Sequence, residues 1–286
     1  MASPILREKL DKGEFIFAPG IQDMITAVVA NKVGFEVVYG TGYWLTASAY
    51  GIADAGIVSY TQMVDRMRTL VKTSNAAVMA DADTGFGGLL NVHHTVRGYE
   101  EAGVSAIQIE DQEFPKKCGH TPNRKVVPCA DMVEKIKVAV DARTDRNMLI
   151  IARTDARQAE GLDAAIARAQ AYYEAGADVL FVEALETKEE MRRACKEVGG
   201  PMFANMSNGG FTPILTVEEM KEVGYAIAIA PSLTSLAAAN AVEKSLIAMK
   251  EQGSAEPEGV PINDFSEFCS LIGFEDVWAF EKKWAK

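Results

Sequence analysis

Eight short apolar runs recur along a chain of 286 residues, at positions 15–18, 36–39, 77–80, 106–109, 149–152, 179–182, 202–204 and 226–229. Each has strand length. Between them lie longer stretches whose apolar residues keep helical spacing, at 21–32, 62–72, 92–101, 132–142, 162–174, 188–197 and 218–223. The runs are rich in Val, Ile and Ala without polar alternation, the pattern of a parallel sheet covered by helices. Several helical stretches end on a glycine just before the next run, at Gly34, Gly103, Gly176, Gly199 and Gly224. A glycine there closes the helix in the left-handed conformation. Eight strand–helix units at this length predict an α/β protein with a closed (β/α)8 barrel of the TIM type, and the competing arrangement is a doubly wound open sheet.

No linker rich in Pro, Gly or Ser divides the first 250 residues, so one catalytic domain over 1–260 is expected. The stretch 253–259 detaches a C-terminal helical tail, 261–286, with Phe265, Phe268, Phe274, Trp278, Phe280 and Trp284. So much aromatic surface must be covered, either by its own barrel or by another subunit.

The 29 basic and 40 acidic residues give a net charge of −11, which argues against nucleic acid or an anionic membrane as partner. Neither a signal-peptide core nor a membrane-length apolar segment is present, so the expected location is cytoplasmic. Cys118, Cys129, Cys195 and Cys269 lack C-x-x-C spacing and read as reduced thiols.

In a TIM barrel the catalytic groups follow the strands. Here the second run leads into Thr41-Gly42-Tyr43, the third into Asp81-Ala82-Asp83, and the fourth into Glu110-Asp111. The fifth leads into Arg153-Thr154-Asp155, the sixth into Glu183, and the seventh into Asn205-Met206-Ser207-Asn208. Carboxylates gathered at one mouth repel unless a cation neutralises them, and the hard oxygens of Asp81, Asp83 and Glu110 suit Mg²⁺ or Mn²⁺. The glycine-rich stretch 84–88 that follows would admit close backbone approach. Arg153 needs an anionic partner, which is Glu183, Asp155 or a substrate carboxylate gripped by two hydrogen bonds. His93 and His94 open a helical stretch and read as exposed or capping.

The loop Lys116-Lys117-Cys118-Gly119-His120 begins six residues after Glu110. Two lysines and a histidine around one thiol supply positive potential that favours thiolate, and Gly119 allows unusual backbone angles. The bland reading is a basic surface loop.

The phrases at 80–87 (ADADTGFG), 109–112 (IEDQ), 116–120 (KKCGH), 152–156 (ARTDA), 160–169 (EGLDAAIARA) and 176–183 (GADVLFVE) resemble the isocitrate lyase and phosphoenolpyruvate mutase superfamily. KKCGH resembles its lyase branch, the one that acts on methylisocitrate and dimethylmalate. The resemblance implies a Mg²⁺-dependent barrel, a homotetramer, and C-terminal helices exchanged between neighbouring subunits. It implies Asp83 as metal anchor, with Asp81 and Glu110 acting directly or through water. Thr41, Gly42, Tyr43, Asp54, Lys116, Gly119, His120, Arg153, Glu183, Asn205 and Ser207 would meet the substrate. Cys118 would ride a mobile lid, with Arg153, Tyr43, His120 and Glu110 as its catalytic company. Two departures, Thr41-Gly42-Tyr43 in place of S-G-G and Asn208 in place of an acidic group, point from a tricarboxylate towards a smaller 2-substituted malate.

The expected reaction is retro-aldol cleavage of a 2-hydroxy di- or tricarboxylate into a 2-oxo acid such as pyruvate and a second carboxylate. Cys118 would protonate the carbanion; the base is Tyr43 or a metal-bound water. The rivals are an oxaloacetate hydrolase or decarboxylase on the same platform, and a non-catalytic barrel that binds dicarboxylates.

Overall fold

The computed structural model describes residues 2–121 and 123–285; Pro122, inside the expected lid, lies outside the described residues. Eight strands follow the eight apolar runs: β1 Ile16–Ile21, β2 Val37–Gly40, β3 Ala77–Asp81, β4 Ala106–Glu110, β5 Leu149–Thr154, β6 Val179–Val182, β7 Phe203–Asn205 and β8 Ile227–Ala230. All neighbouring pairs are parallel, in the order β6-β5-β4-β3-β2-β1-β8-β7. A parallel bridge between Leu180 and Met202, with the Leu180 N–H donating to Pro201 C=O at 2.9 Å, joins the two outer strands. The sheet is thus a barrel, and the open-sheet alternative fails.

The helices are α1 Ile5–Asp11, α2 Met24–Val33, α3 Gly42–Tyr50, α4 Tyr60–Thr73, α5 Leu89–Ala102, α6 Cys129–Ala142, α7 Ala156–Glu160, α8 Leu162–Glu174, α9 Lys188–Val198, α10 Val217–Val223, α11 Leu233–Gln252, α12 Phe265–Leu271 and α13 Phe274–Trp284. The five closing glycines, from Gly34 (φ 89°) to Gly224 (φ 110°), all have positive φ as expected. The stretch read as a Thr41-Gly42-Tyr43 turn is instead the start of α3, where the Thr41 side chain caps the helix by accepting the Trp44 N–H at 3.1 Å. With its scattered aromatics, α3 has no apolar stripe to mark it as helical.

Strand residues alternate between the barrel interior and the helical layer. Val37, Tyr39, Ala77, Met79, Ala106, Leu149, Ile151, Val179, Phe181, Phe203 and Ile227 form the interior core, and Leu6 of α1 is fully buried in the same cluster. Their neighbours Val38, Val78, Ile107, Ile150, Leu180 and Ala228 pack outward under the helices. Continuing the inward count by one or two steps brings Asp81, Gln108, Glu110, Arg153, Glu183 and Asn205 to the upper layer. Sequence alone therefore ended β3, β4 and β5 one or two residues early, since the ladder continues through polar residues that face the barrel axis.

The tail does not bury its aromatic surface on its own barrel. No residue of α13 is buried, and Phe265 (81%), Phe280 (64%) and Trp284 (62%) are largely exposed. Among the described residues no helix is long and apolar enough to cross a membrane.

Candidate active site

At the C-terminal mouth of the barrel lies a cavity of about 360 Å³. Tyr43, Thr41, Asp54, Asp81, Glu110, Lys116, Cys118, Gly119, His120, Arg153, Glu183, Asn205 and Ser207 all line it, so residues up to 166 positions apart in the chain meet in one space. Two expected site residues stand behind the wall. Gly42 backs onto Asp81, whose Oδ2 would lie 2.7 Å from any Cβ there. Asp83 has φ 48° and turns away from an extended course, its N–H donating to Asp81 Oδ1 at 3.0 Å.

The glycine-rich stretch after Asp83 does not reach the cavity. Gly85 packs on Val92 and Gly87 on Asn91, so these glycines seat α5. His93 and His94 are exposed on α5, as expected.

Positive charge enters on two side chains. Lys116 Nζ lies 2.6 Å from Asp54 Oδ2 and 2.9 Å from Asp83 Oδ1. Burial opposes its charge, but the combined field of Asp83, Asp81, Glu110 and Asp54 wins and holds the ammonium well above its ordinary pKa. Arg153 gives its Nε–Nη2 edge to Asp155, at 2.8 and 2.9 Å. It also lies 3.2 Å from Glu183 and 3.4 Å from Glu110. Both sequence-level partners are thus real, and Nε and Nη2 are taken by them.

Asp155 organises this arginine and was missed as a site residue. Burial works against its charge, yet Arg153 and Arg124 pull its pKa below the usual carboxylate range. Its N–H donates to Asp111 Oδ1 at 2.9 Å, and Asp111 also accepts from Thr154 Oγ1 and the Tyr172 hydroxyl, each at 2.7 Å. The signal was present, since residues two apart on a strand share a face and Asp155 is two beyond Arg153.

Cys118 overturns one expectation. Burial pushes its thiol above the ordinary value, outweighing the His120 N–H and Arg153, so the group stays protonated at neutral pH. Gly119 does not adopt positive φ; its requirement is room, because a Cβ would lie 2.1 Å from Arg153 Nη2 and 2.8 Å from Glu183 Oε2. His120 is held between Asn205 Nδ2, 3.3 Å away, and Gly210, where a Cβ would strike the ring at 2.7 Å. Asn205 Nδ2 also donates to Glu183 Oε2 at 3.1 Å. Tyr43 sits at the rim, 40% exposed, with Trp44 edge-on at 4.8 Å.

Buried polar atoms without a partner concentrate here. Of eight such atoms among the described residues, Gln108 Nε2, Glu110 Oε1, His120 Nδ1 and Asn205 Oδ1 belong to this site or its walls, while Asp83 Oδ1 meets only the Lys116 ammonium. Burial raises Asp83 to about 6 against the pull of Lys116. Glu110 rises well above the carboxylate range for the same reason, against Arg153. Desolvated carboxylates gathered this closely fit a divalent cation. Among the described residues no three acidic, His or Cys side chains are placed to enclose an ion. An ion there would have to keep several waters and take only one or two carboxylates directly, as Mg²⁺ can.

A model of the family described as phosphoenolpyruvate phosphomutase matches residues 6–250. The chain belongs to the phosphoenolpyruvate mutase/isocitrate lyase superfamily. Among its curated superfamily relatives, 2,3-dimethylmalate lyase of Eubacterium barkeri is 43% identical over 98% of this chain and 97% of its own length. The 2-methylisocitrate lyase of Aeropyrum pernix is 41% identical over 98% and 89%. Among solved superfamily structures, a 2,3-dimethylmalate lyase superposes with a TM-score of 0.92 at 32% identity, covering 100% of this chain and 96% of the other. Oxaloacetate acetylhydrolase with 3,3-difluorooxalacetate gives 0.90 at 31% identity, covering 97% and 95%. Phosphonopyruvate hydrolase with oxalate and Mg²⁺ gives 0.90 at 32% identity, covering 100% of both.

Proposed function

We propose that this carbon–carbon lyase cleaves a 2-substituted malate, of the 2,3-dimethylmalate or 2-methylisocitrate type, into a 2-oxo acid and a carboxylate. The observation that carries the reading is a half-buried thiol on the KKCGH loop, its pKa raised by burial, in the same cavity as Arg153 and the acids. Asp81 and Glu110, which line the cavity, with Asp83 behind them, would hold Mg²⁺ or Mn²⁺ directly or through water, and the ion when bound would supply a positive field for the oxygens of the 2-oxo acid.

Tyr43 or a water takes the hydroxyl proton, the C2–C3 bond breaks, and its electrons pass into the neighbouring carboxylate as an enediolate while C2 becomes a carbonyl. Arg153, fixed by Asp155 and Glu183, stabilises that developing charge from the edge that faces the cavity. The Cys118 thiol then gives its proton to C3. Its raised pKa keeps the proton in place until the carbanion needs it. Asn205 and Glu183 orient His120 beside the thiol, and the Lys116–Asp54 pair holds the loop down while the carbanion exists.

The reading includes a cytoplasmic homotetramer in which α12 and α13 cover their aromatic faces on a neighbouring subunit. A second reading, hydrolysis or decarboxylation of oxaloacetate, draws on the likeness to oxaloacetate acetylhydrolase. The test is 2-oxo acid release with Mg²⁺ across 2,3-dimethylmalate, citramalate, other malates, isocitrate and 2-methylisocitrate, read as pyruvate or glyoxylate according to the substituent on C2, with oxalate and pyruvate release from oxaloacetate followed alongside. Pyruvate and propionate from 2,3-dimethylmalate, or pyruvate and succinate from 2-methylisocitrate, support a lyase. Turnover of oxaloacetate alone selects the second reading, and a barrel that binds dicarboxylates without turnover is a binding protein.

A further inference from the structure

Beneath the acids, β4 places Gln108 in the inward register between Ala106 and Glu110, in line with Asp81 on one side and Ile151 on the other. It is fully buried, yet it borders the cavity. The Tyr39 hydroxyl, itself 3% exposed as part of a residue in the interior core, donates to Gln108 Oε1 at 3.0 Å. In this arrangement the carboxamide turns Oε1 to the hydroxyl and Nε2 away from it. With Oε1 satisfied, Nε2 is left without an acceptor. A buried amide N–H pair with no partner is costly, and native interiors tolerate it chiefly where a ligand or water completes the set.

The nature of the missing partner follows from the chemistry of the donor. A cation cannot accept a hydrogen bond, so metal binding above the floor would leave Nε2 as it is. The ligand must bring an oxygen of its own. Arg153 and Lys116 already face protein carboxylates, which makes Gln108 the uncharged donor at the bottom of an acid-rich site. We propose that Gln108, oriented by Tyr39, is a substrate-binding residue whose Nε2 donates to a carboxylate or carbonyl oxygen of the 2-oxo acid at the cavity floor.

The proposal rests on the oxo-acid reading above, and the test separates the two. The affinity of the Mg²⁺-loaded protein for pyruvate and for oxalate is measured by calorimetry, alongside kcat and KM, in the parent, Gln108→Met, Gln108→Glu and Tyr39→Phe. Gln108→Glu keeps the acceptor for Tyr39 and turns the donor into an acceptor. Both Gln108 variants are expected to lose about 10- to 100-fold in oxo-acid affinity while keeping the parent's circular dichroism. Tyr39→Phe should lose less, and adding it to Gln108→Met should cost nothing more, because the hydroxyl acts only through the amide. Parent-like oxo-acid affinity in a folded Gln108→Met protein would overturn the proposal and leave a floor group bridged by water. A parent that binds pyruvate or oxalate but cleaves no hydroxy acid would defeat the lyase reading and leave this assignment standing. A parent that binds neither oxo acid defeats the assignment directly.

Discussion

Lys116 Nζ stands 2.6 Å from Asp54 Oδ2, and this buried pair bolts the cysteine loop to the segment that follows α3. The loop is therefore held by charge rather than by an apolar anchor. Asp54→Asn removes half of that clamp while leaving Asp83 beside the ammonium. We expect kcat/KM to fall about 10- to 100-fold and protease cleavage within 113–124 to accelerate. Mg²⁺ plus a product pair should protect the same segment in the parent. Equal cleavage rates with and without these ligands would show that the loop does not gate the site.

Cys118→Ser should lower turnover by at least about 100-fold and leave pyruvate affinity near that of the parent, because a hydroxyl is a far weaker acid in the same place. The parent thiol, raised by burial, should react slowly with iodoacetamide at pH 7 and faster as pH climbs past the ordinary thiol value. Rapid alkylation at neutral pH would mean that a thiolate already exists.

Asp83 predicts an unusual pH dependence of stability. Its folded pKa of about 6 lies above the ordinary 3.8, so the folded state binds the extra proton between those values. The penalty from this group is present in full above pH 6 and is relieved as pH falls towards 3.8. Metal-free parent protein should therefore gain Tm, relative to Asp83→Asn, on going from pH 7.5 to 5. Mg²⁺ should raise the parent Tm more at pH 7.5 than at pH 5, because the cation and the proton compete for the same carboxylates. Identical Tm profiles in the two proteins would remove Asp83 from the charge cluster.

Arg153→Lys keeps the charge but loses the planar fork that answers Asp155, Glu183 and Glu110 together. The expected result is a loss of about 100- to 1,000-fold in kcat, with a lower Tm as Asp155 is left to Arg124. A variant with parent kcat and altered KM alone would confine Arg153 to ground-state binding.

The barrel was legible because its strands are buried on both faces and its helices end on glycine, signals that survive in a bare sequence. The residues that directly follow the apolar runs then pointed to Asp81, Glu110, Arg153, Glu183 and Asn205 at one mouth. What escaped was whatever depends on a neighbour distant in sequence. The Cys118 thiol looked acidic beside its lysines, and only folding revealed how far desolvation outweighs them. Asp83 seemed to point with Asp81, but its positive φ sends it to Lys116. Gln108 and Tyr39 passed as ordinary members of apolar runs because nothing local marks a residue as the floor of a barrel.

Position 119 has a further meaning for anyone who would redesign this enzyme. A methyl group there would land on the guanidinium and on Glu183, so the Cys118 loop and Arg153 share one interlocked seat. Neither can be tuned alone by altering that hinge point. Changes in substrate range will have to come from other lining positions, such as Tyr43, Trp44 or Asn208.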